Sequence, residues 1–333
     1  MKYTRSVQIQ KKSSRYSTLI LKDFLTNQAY VQKKCPDCDA VTTKKNGHFR
    51  GKQRYRCTSC GVQFVHNTKP SPLTLWHEHT EHHQTVEALS TRFHLSEKTV
   101  RTYLDAYTLP EWSPAPRVMV AVADATMVGT VWILVIRDPH ARENVYSKEI
   151  ETEAISDYQE GFRDLEERRF IITAVVGDGR IMIPWLFPKV KMQMCHFHQE
   201  QIVIRYLTLN PELPASKELL LLIRTLPTND EASFTDAFNL WCRTWHAFLN
   251  EKTRAESGRV SFTHKRVRSA RDSIRHHLPY LFTFLKYPEL NIPNTANSLD
   301  GSFKKVKMAV GIHSGQTHAR KVKMVLSMLR KKR

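Results

Sequence analysis

Four strand-like segments in the middle of the chain constrain its fold more than any other feature of the sequence. Apolar runs occupy residues 118–124 and 131–137, and a weaker alternating run occupies residues 145–151. A helix-forming stretch, residues 156–169, follows with Ser156 as its expected N-cap, and a last apolar run spans residues 170–179. The order strand, strand, strand, helix, strand predicts an α/β domain built on one sheet.

Two acids mark the ends of the first and last of these runs. Asp124 closes the first run, and Asp178 lies between two glycines at the end of the last. The order of elements matches the ribonuclease H-like fold, whose first and fourth strands are neighbours, so we expect the two acids to lie together. A carboxylate at the end of a buried strand costs desolvation energy unless a cation compensates, which favours a shared Mg²⁺ site. Two unrelated aspartates that form turns are the alternative.

The charge balance indicates a polyanionic partner. The 333-residue chain has 51 Lys and Arg against 32 Asp and Glu, a net charge of +19. Phosphate contacts release condensed counterions, so nucleic acid is the leading partner. The longest apolar runs fall short of the ~20 residues of a membrane span, and no apolar stretch follows the basic opening segment as in a secretory signal. We therefore expect a cytoplasmic, nucleoid-associated protein with no membrane partner.

Two C-x2-C pairs predict a zinc ribbon in residues 31–68. Cys35 and Cys38 form the first pair, and Cys57 and Cys60 form the second, eighteen residues further on. This spacing is typical of a four-thiolate, tetrahedral structural Zn²⁺ site, and Gly61 suits the tight turn after the second pair. Four unrelated buried cysteines are the alternative.

Basic and aromatic residues alternate between the two cysteine pairs. Asn46-Gly47 predicts a hairpin turn there, with Phe49 and Tyr55 among the cations. We expect this basic face to contact DNA phosphates, although a solvated charge run is an alternative. The candidate DNA-binding residues of the ribbon are Lys52, Arg54 and Arg56.

A helix-turn-helix pattern occupies part of residues 72–108. Val86, Leu89 and Phe93 share one helical face, and Val100 and Leu104 share a second. Ser96 is the expected N-cap of the second helix, whose polar face then suits a DNA major groove. An ordinary helical hairpin is the alternative. The candidate DNA-binding residues here are Lys98, Thr99, Arg101 and Thr102.

The second half of the chain resembles the Mutator-type transposases, including bacterial insertion-sequence members, over roughly residues 118–325. The stretch from Asp178 to Cys195 and His198 is similar to the family's second catalytic aspartate followed by a C-x2-H element. A later segment matches the family's Thr-x-Asn-x-x-Glu block with Thr295, Asn297 and Asp300 in order. Many bacterial relatives also have a zinc ribbon and a helix-turn-helix in front.

The resemblance implies a DDE transposase of a bacterial insertion sequence. Asp124, Asp178 and Asp300 would hold two Mg²⁺ or Mn²⁺ ions for DNA cleavage and strand transfer, without a covalent protein intermediate. Asp300 stands where the family usually has Glu, and Glu289 is the fallback third acid. Further expected site residues are Asn297 and Lys304 at the DNA, with Cys195 and His198 as possible support of the active site.

Three prolines in residues 109–116 indicate a linker. Together with the resemblance, this linker predicts how the chain divides into domains. We expect element ends and target DNA as partners, and a homodimer or larger synaptic complex. Cations of the closing segment are expected along the DNA, namely Lys304, Lys305, Lys307, Arg320, Lys321 and Lys323. The expected divisions are an N-terminal extension (1–30), the zinc ribbon (31–68), the helix-turn-helix domain (72–108), a linker (109–117), a ribonuclease H-like catalytic core (118–210 and 288–333) and an all-α insertion (211–287).

Two other functions fit part of the pattern. A catalytically inactive, transposase-derived regulator would keep the ribbon and the helix-turn-helix, and Asp300 in place of Glu is the only residue that favours it. A metal-dependent nuclease without strand transfer is a weaker alternative. Within the expected insertion, Trp241, Trp245 and Phe248 have helical spacing and are predicted core residues, with Cys242 buried beside them.

Overall fold

The computed structural model describes residues 34–65, 70–181 and 190–331. The expected extension, residues 1–30, lies outside the described residues. The chain divides into two compact units, Met1–Ser71 and Pro72–Arg333. The boundary therefore falls before the helix-turn-helix segment, and the proline-rich segment 109–116 lies inside the second unit.

The first unit contains an antiparallel three-stranded sheet of β1 (Thr43–Phe49), β2 (Lys52–Cys57) and β3 (Gln63–Val65). The expected hairpin turn at Asn46-Gly47 is wrong, because the chain turns at Arg50 and Gly51, which both have positive φ. The β1–β2 register shifts between Lys45 and His48, so Asn46 and Gly47 form an irregularity within the strand. Side chains from β2 bond to both of their carbonyl oxygens, which stabilises this bulge.

The second unit begins with three helices, α1 (Pro72–Thr80), α2 (Val86–Phe93) and α3 (Glu97–Ala106). Two helices joined by a short turn lie where the pattern predicted them, and Leu89, Val100 and Leu104 are fully buried. The Ser96 hydroxyl accepts a hydrogen bond from the Thr99 amide at 3.1 Å and caps α3, as expected. Helix α1 packs on both of the others and was not anticipated.

A five-stranded mixed sheet forms the centre of the second unit. Its strands are β4 (Val118–Val128), β5 (Val131–Asp138), β6 (Glu143–Ile150), β7 (Ile171–Gly177) and β8 (Lys191–Met194), in the spatial order β6-β5-β4-β7-β8. Strands β4, β5 and β6 are antiparallel, whereas β7 and β8 run parallel to β4. The prediction of a mixed α/β architecture is thus confirmed.

Helix α4 (Ile155–Glu167) connects β6 to β7 and packs on the sheet. The expected cap at Ser156 is wrong. The N-cap is Ala154, and the Asp157 carboxylate accepts the Ala154 amide hydrogen at 3.0 Å. Because Asp157 already satisfies an amide at this end, the helix begins without a hydroxyl cap.

Helices α5 (His196–Leu207), α6 (Pro214–Arg224), α7 (Glu231–Thr244), α8 (His246–Asn250), α9 (Lys265–Leu281) and α10 (Thr283–Lys286) follow β8. A short hairpin of β9 (Lys252–Arg254) and β10 (Val260–Phe262) interrupts them, so residues 211–287 are not all-α. Trp241 is buried, whereas Trp245, Phe248 and Cys242 are only half-buried. No helix of the described residues is both long and apolar enough to cross a membrane.

Two closing helices, α11 (Asn297–Ile312) and α12 (His318–Leu329), complete the second unit. Arg320 is 4% exposed and forms a two-pronged ion pair with Asp105 of α3, at 2.7 and 2.9 Å. Lys323 donates to three carbonyl oxygens at the end of α3, and Lys321 donates to Thr130. These three cations therefore bond within the protein, and their expected position along DNA stays a prediction. Lys304, Lys305 and Lys307 remain exposed.

Candidate functional site

The four cysteines of the first unit form a metal-ligand cluster. The Cys35 and Cys60 sulfurs are 3.5 Å apart, and those of Cys38 and Cys57 are 3.6 Å apart. All four ligand atoms lie within 4.8 Å of one another. A tetrahedral Zn²⁺ with bonds of ~2.3 Å requires sulfurs about 3.8 Å apart, so the cluster fits a structural zinc ion. Backbone amides, first that of Cys60, lower the pKa of Cys57 to about 6, which favours the thiolate form.

The predicted basic residues of the ribbon lie on one face of β2. Lys52 and Arg56 are exposed, whereas Arg54 is half-buried and donates to the Asn46 carbonyl oxygen at 2.8 Å. Arg56 is directly opposite Lys44 of β1. Like charges at paired positions repel each other, and a bound anion would relieve that repulsion.

The predicted residues of α3 differ in their freedom to reach a ligand. Lys98 and Thr102 are exposed. Thr99 is half-buried, and its hydroxyl bonds to that of Ser96 at 2.8 Å. Arg101 is exposed and forms an ion pair with Glu97 at 2.6 Å, which a surface ligand can replace at small cost.

Asp124 and Asp178 lie at corresponding positions of neighbouring parallel strands. Val122 of β4 pairs with Val176 of β7, and Asp124 and Asp178 each lie two residues after these paired valines. Asp124 is 9% exposed. Burial, and then the charges of Asp178 and Asp300, raise the pKa of Asp124 to about 8. The three predicted acids therefore lie close enough to interact electrostatically.

Asp300 reaches this centre from the first turn of α11, which packs against β4. Glu289, the fallback acid, is exposed in a short 3₁₀ turn and contributes nothing to the shift of the Asp124 pKa. Among the described residues, only the four cysteines bring three or more ligand atoms within 4.8 Å. Asn297 and Lys304 are exposed on the same helix.

Glu153 is a fourth acid of this centre, and the sequence did not single it out. It lies between β6 and α4, and its charge contributes to the raised pKa of Asp124. The Tyr158 hydroxyl donates to Glu153 at 2.8 Å, and Arg180 donates to its carbonyl oxygen. Burial raises the pKa of Glu153 itself. An acid between a strand and a helix is too common a pattern to have indicated this position.

The loop after β7 requires glycine where other elements approach it closely. A Cβ on Gly177 would lie 2.2 Å from Ile181, and one on Gly179 would lie 2.6 Å from the ring of His277 on α9. His277 in turn bonds to Gln199 of α5 at 2.6 Å. Helices α5 and α9 therefore hold the segment that contains Asp178.

Cys195 and His198 lie at the start of α5, on the side of this loop. The buried Cys195 sulfur accepts the Ala296 amide hydrogen at 3.2 Å and so ties β8 to the segment before Asp300. His198 is close enough to Glu153 for its charge to lower the pKa of that acid. Its buried Nδ1 has no hydrogen-bond partner among the described residues. Cys195 thus has a structural contact, whereas His198 lies near the acidic centre and has an unpartnered ring nitrogen.

The second unit thus brings four acids together around Asp124 of β4 and the end of β7, in a chain of strongly positive net charge. Such a centre suits a divalent cation and the phosphate groups of a polyanion. Comparison of the chain with models of known protein families found no match, and a search of curated proteins also found none.

Proposed function

We propose that the chain is a DDE-type DNA transposase of a bacterial insertion sequence, with a ribonuclease H-like catalytic core. The strand order β6-β5-β4-β7-β8, with three antiparallel strands followed by two parallel ones, supports the fold assignment. A helical segment between α5 and α11 fits the insertion that such enzymes carry before the third acid.

The observation that carries the proposal is the convergence of Asp124, Asp178 and Asp300. They are separated by 54 and 122 residues in the chain, yet the latter two both raise the pKa of the first. Burying like charges together is unfavourable, and either protonation of Asp124 or a bound cation relieves the repulsion. Structural stability alone offers no reason for this arrangement.

The donor set fits Mg²⁺ or Mn²⁺, which prefer carboxylate oxygens. Asp124, Asp178 and Asp300 would hold the ions, of which we propose two. Bound ions would activate water and stabilise the attacking and leaving oxygens of an in-line displacement at phosphorus. Aspartate at position 300 is one methylene shorter than glutamate, and the start of α11 brings it to Asp124 nonetheless.

The protein's own groups position the reacting phosphate. Asp124 is held by the Ala125 amide, and Asp178 accepts the Arg180 amide hydrogen at 2.9 Å, so both carboxylates are oriented. Arg180 and His198 both lie near Glu153 and would supply donors beside the acids. Such fixed groups reduce the reorganisation that the reaction requires.

The remaining proposed sites recognise DNA. The zinc ribbon and α3 would select the element ends, through Lys52, Arg56, Lys98 and Arg101 among others, and Asn297 and Lys304 would lie at the DNA near the acids. Two ends must be brought together for transposition, so the working form is proposed to be a homodimer or a larger assembly. We place this activity in the bacterial cytoplasm, at the nucleoid.

An excision assay tests the proposal. The substrate is a donor plasmid with the DNA that flanks the gene, assayed with Mg²⁺ and with Mn²⁺. Asp124→Ala, Asp178→Ala and Asp300→Ala should each reduce excision by ~10³-fold or more, since the ligands act as a unit. Asp300→Glu should keep activity, and Glu289→Ala serves as the matched control that should excise like the wild type.

Each other outcome has a defined meaning. Normal excision by Asp300→Ala would remove the third ligand from the proposal. Cleavage without strand-transfer products would identify a nuclease. If the wild-type protein binds the flanking DNA and never cleaves it, the protein is a transposase-derived regulator. This is the alternative function that aspartate at position 300 favours.

A further inference from the structure

A cationic pocket lies on the helical segment, formed by residues with no part in the proposed chemistry. Its volume is about 540 Å³. Arg243 of α7 and His246 of α8 line one side, and Arg271 and Arg275 of α9 line the other. None of its lining residues is acidic. The pocket therefore concentrates positive charge on a concave surface.

The cations of this pocket are poorly neutralised. Arg271 is 12% exposed and held in place by Asp272, with 2.7 Å between Nη2 and Oδ1. Arg275 is 58% exposed and lies 3.8 Å from the same carboxylate. Arg243 is exposed and has no acidic partner among the described residues. One carboxylate thus pairs with two of the three arginines, which leaves a net positive charge for an external anion.

The pocket faces away from the acidic centre. His277, on the same helix α9, packs against Gly179 beside Asp178. An α-helix turns about 100° per residue, so Arg275 lies about 200° and Arg271 about 240° around the helix from His277. An anion in the pocket is therefore on the far side of α9 from the carboxylates. The pocket cannot hold the phosphate that they act on.

We propose that this pocket binds the phosphodiester backbone of a second stretch of DNA, separate from the stretch at the acidic centre. The inference rests on the proposed function and adds a DNA-holding surface to the helical segment. Guanidinium groups match phosphate oxygens in pairs, and three of the four cations here are arginines. The charge of +19 on the whole chain favours DNA over a protein partner as the anion.

The first test measures the salt dependence of binding to a fluorescent DNA duplex of arbitrary sequence. The double variant Arg243→Gln, Arg275→Gln should show a slope of log K against log salt that is shallower by about 1.8, since each lost phosphate contact removes ~0.9. The matched control is Lys217→Gln, Arg259→Gln, which removes two exposed cations outside the pocket. Equal slopes for the pocket variant and the control would overturn the proposal.

The second test uses the unmodified protein and so does not depend on the folding of a variant. Cys242 lines the pocket, and its sulfur is 3.9 Å from Arg275. The DNA duplex should slow alkylation of Cys242, measured on its own peptide by mass spectrometry, at least tenfold at low salt. Unchanged alkylation, or protection by polyglutamate and not by DNA, would overturn the proposal, and the latter would point to an acidic protein partner.

Neither test requires DNA cleavage, so failure of the pocket and failure of the transposase proposal remain distinguishable. If the protein cleaves DNA but DNA does not protect Cys242 from alkylation, only the proposal for the pocket is refuted. A protein that never cleaves DNA, yet shows the change of slope and the protection, refutes only the transposase.

Discussion

His79 and His313 form a buried pair of rings between the first and the last part of the second unit. Their ring centroids are 3.9 Å apart, and they are 1% and 5% exposed. His79 donates from Nδ1 to the Gln84 carbonyl oxygen at 2.8 Å, and Gln316 donates to its Nε2. Burial, and then the charges of His313 and Arg320, lower the pKa of His79 to about 4. Both nitrogens of His79 are therefore used by the neutral ring.

Because of His79, the second unit should become less stable as the pH decreases. A histidine with a lowered pKa in the folded state stabilises fully above its ordinary pKa of 6.5, and that stability is lost as the pH falls toward 4. The shift corresponds to about 3 kcal/mol across this window. Urea unfolding at several pH values should show that loss in the wild type and a weaker one in His79→Gln.

The exposed His140 provides the control for this prediction. His140→Gln should unfold with the pH dependence of the wild type, since its side chain is exposed and belongs to no buried pair. Identical pH profiles for His79→Gln and the wild type would contradict the assignment of this window to His79.

At the scale of elements, α12 joins the helix-turn-helix to the sheet. Arg320 and Lys323 of α12 bond to the end of α3, while Asn144 of β6 donates to the Leu329 carbonyl oxygen at the end of α12. The Trp76 indole of α1 donates to Ser327 of the same helix. One helix thus links the expected DNA-reading helices to the sheet that holds the acids.

Arg320→Met should therefore loosen α3 without removing the helix α12. The substitution keeps much of the buried volume and removes the two-pronged ion pair with Asp105, so we expect a loss of about 2 kcal/mol in the free energy of unfolding. Hydrogen exchange should show α3 opening more readily. Lys305→Met, at an exposed position of α11, should change stability by less than about 0.5 kcal/mol, and an equal loss in both variants would argue against a specific link.

At the scale of the whole molecule, the chain consists of two units with different sources of stability. The described part of the first unit, residues 34–65, contains few buried apolar residues, among them Tyr55. The second unit has two extensive apolar clusters, one on each side of the large sheet. A small sheet without a sizeable core requires a metal ion or another cross-link to stay folded.

Removal of zinc should therefore unfold the first unit alone. Binding of structural Zn²⁺ contributes about 10–16 kcal/mol to the folding of small zinc domains. The described part of the ribbon has no sizeable apolar core that could replace this contribution. A chelator, or Cys57→Ser, should expose residues 34–65 to protease and reduce binding to specific ends, while a protected fragment from about residue 72 onward remains. Cys242→Ser should leave the ribbon resistant, and full resistance of the metal-free wild type would refute the zinc site.

The sequence by itself determined those features that depend on spacing along a short segment. The C-x2-C pairs, the cap at Ser96 and the apolar runs of β4, β5, β6 and β7 all depend on neighbours within a turn or a strand, so their patterns are visible in the sequence. The matching positions of Asp124 and Asp178 on neighbouring strands follow from the same order of strands.

Only the tertiary structure decided which distant groups meet. Asn46-Gly47 forms a bulge because pairing with β2 continues past it. Arg320 is buried against Asp105, a partner 215 residues earlier in the chain that only the fold brings near. Glu153 lies near the other acids for a similar reason, since the fold and not the local sequence brings the segment before α4 close to Asp124 of β4. The sequence shows only that a residue is cationic or acidic. Its role depends on the neighbouring charges and on the burial that long-range packing produces.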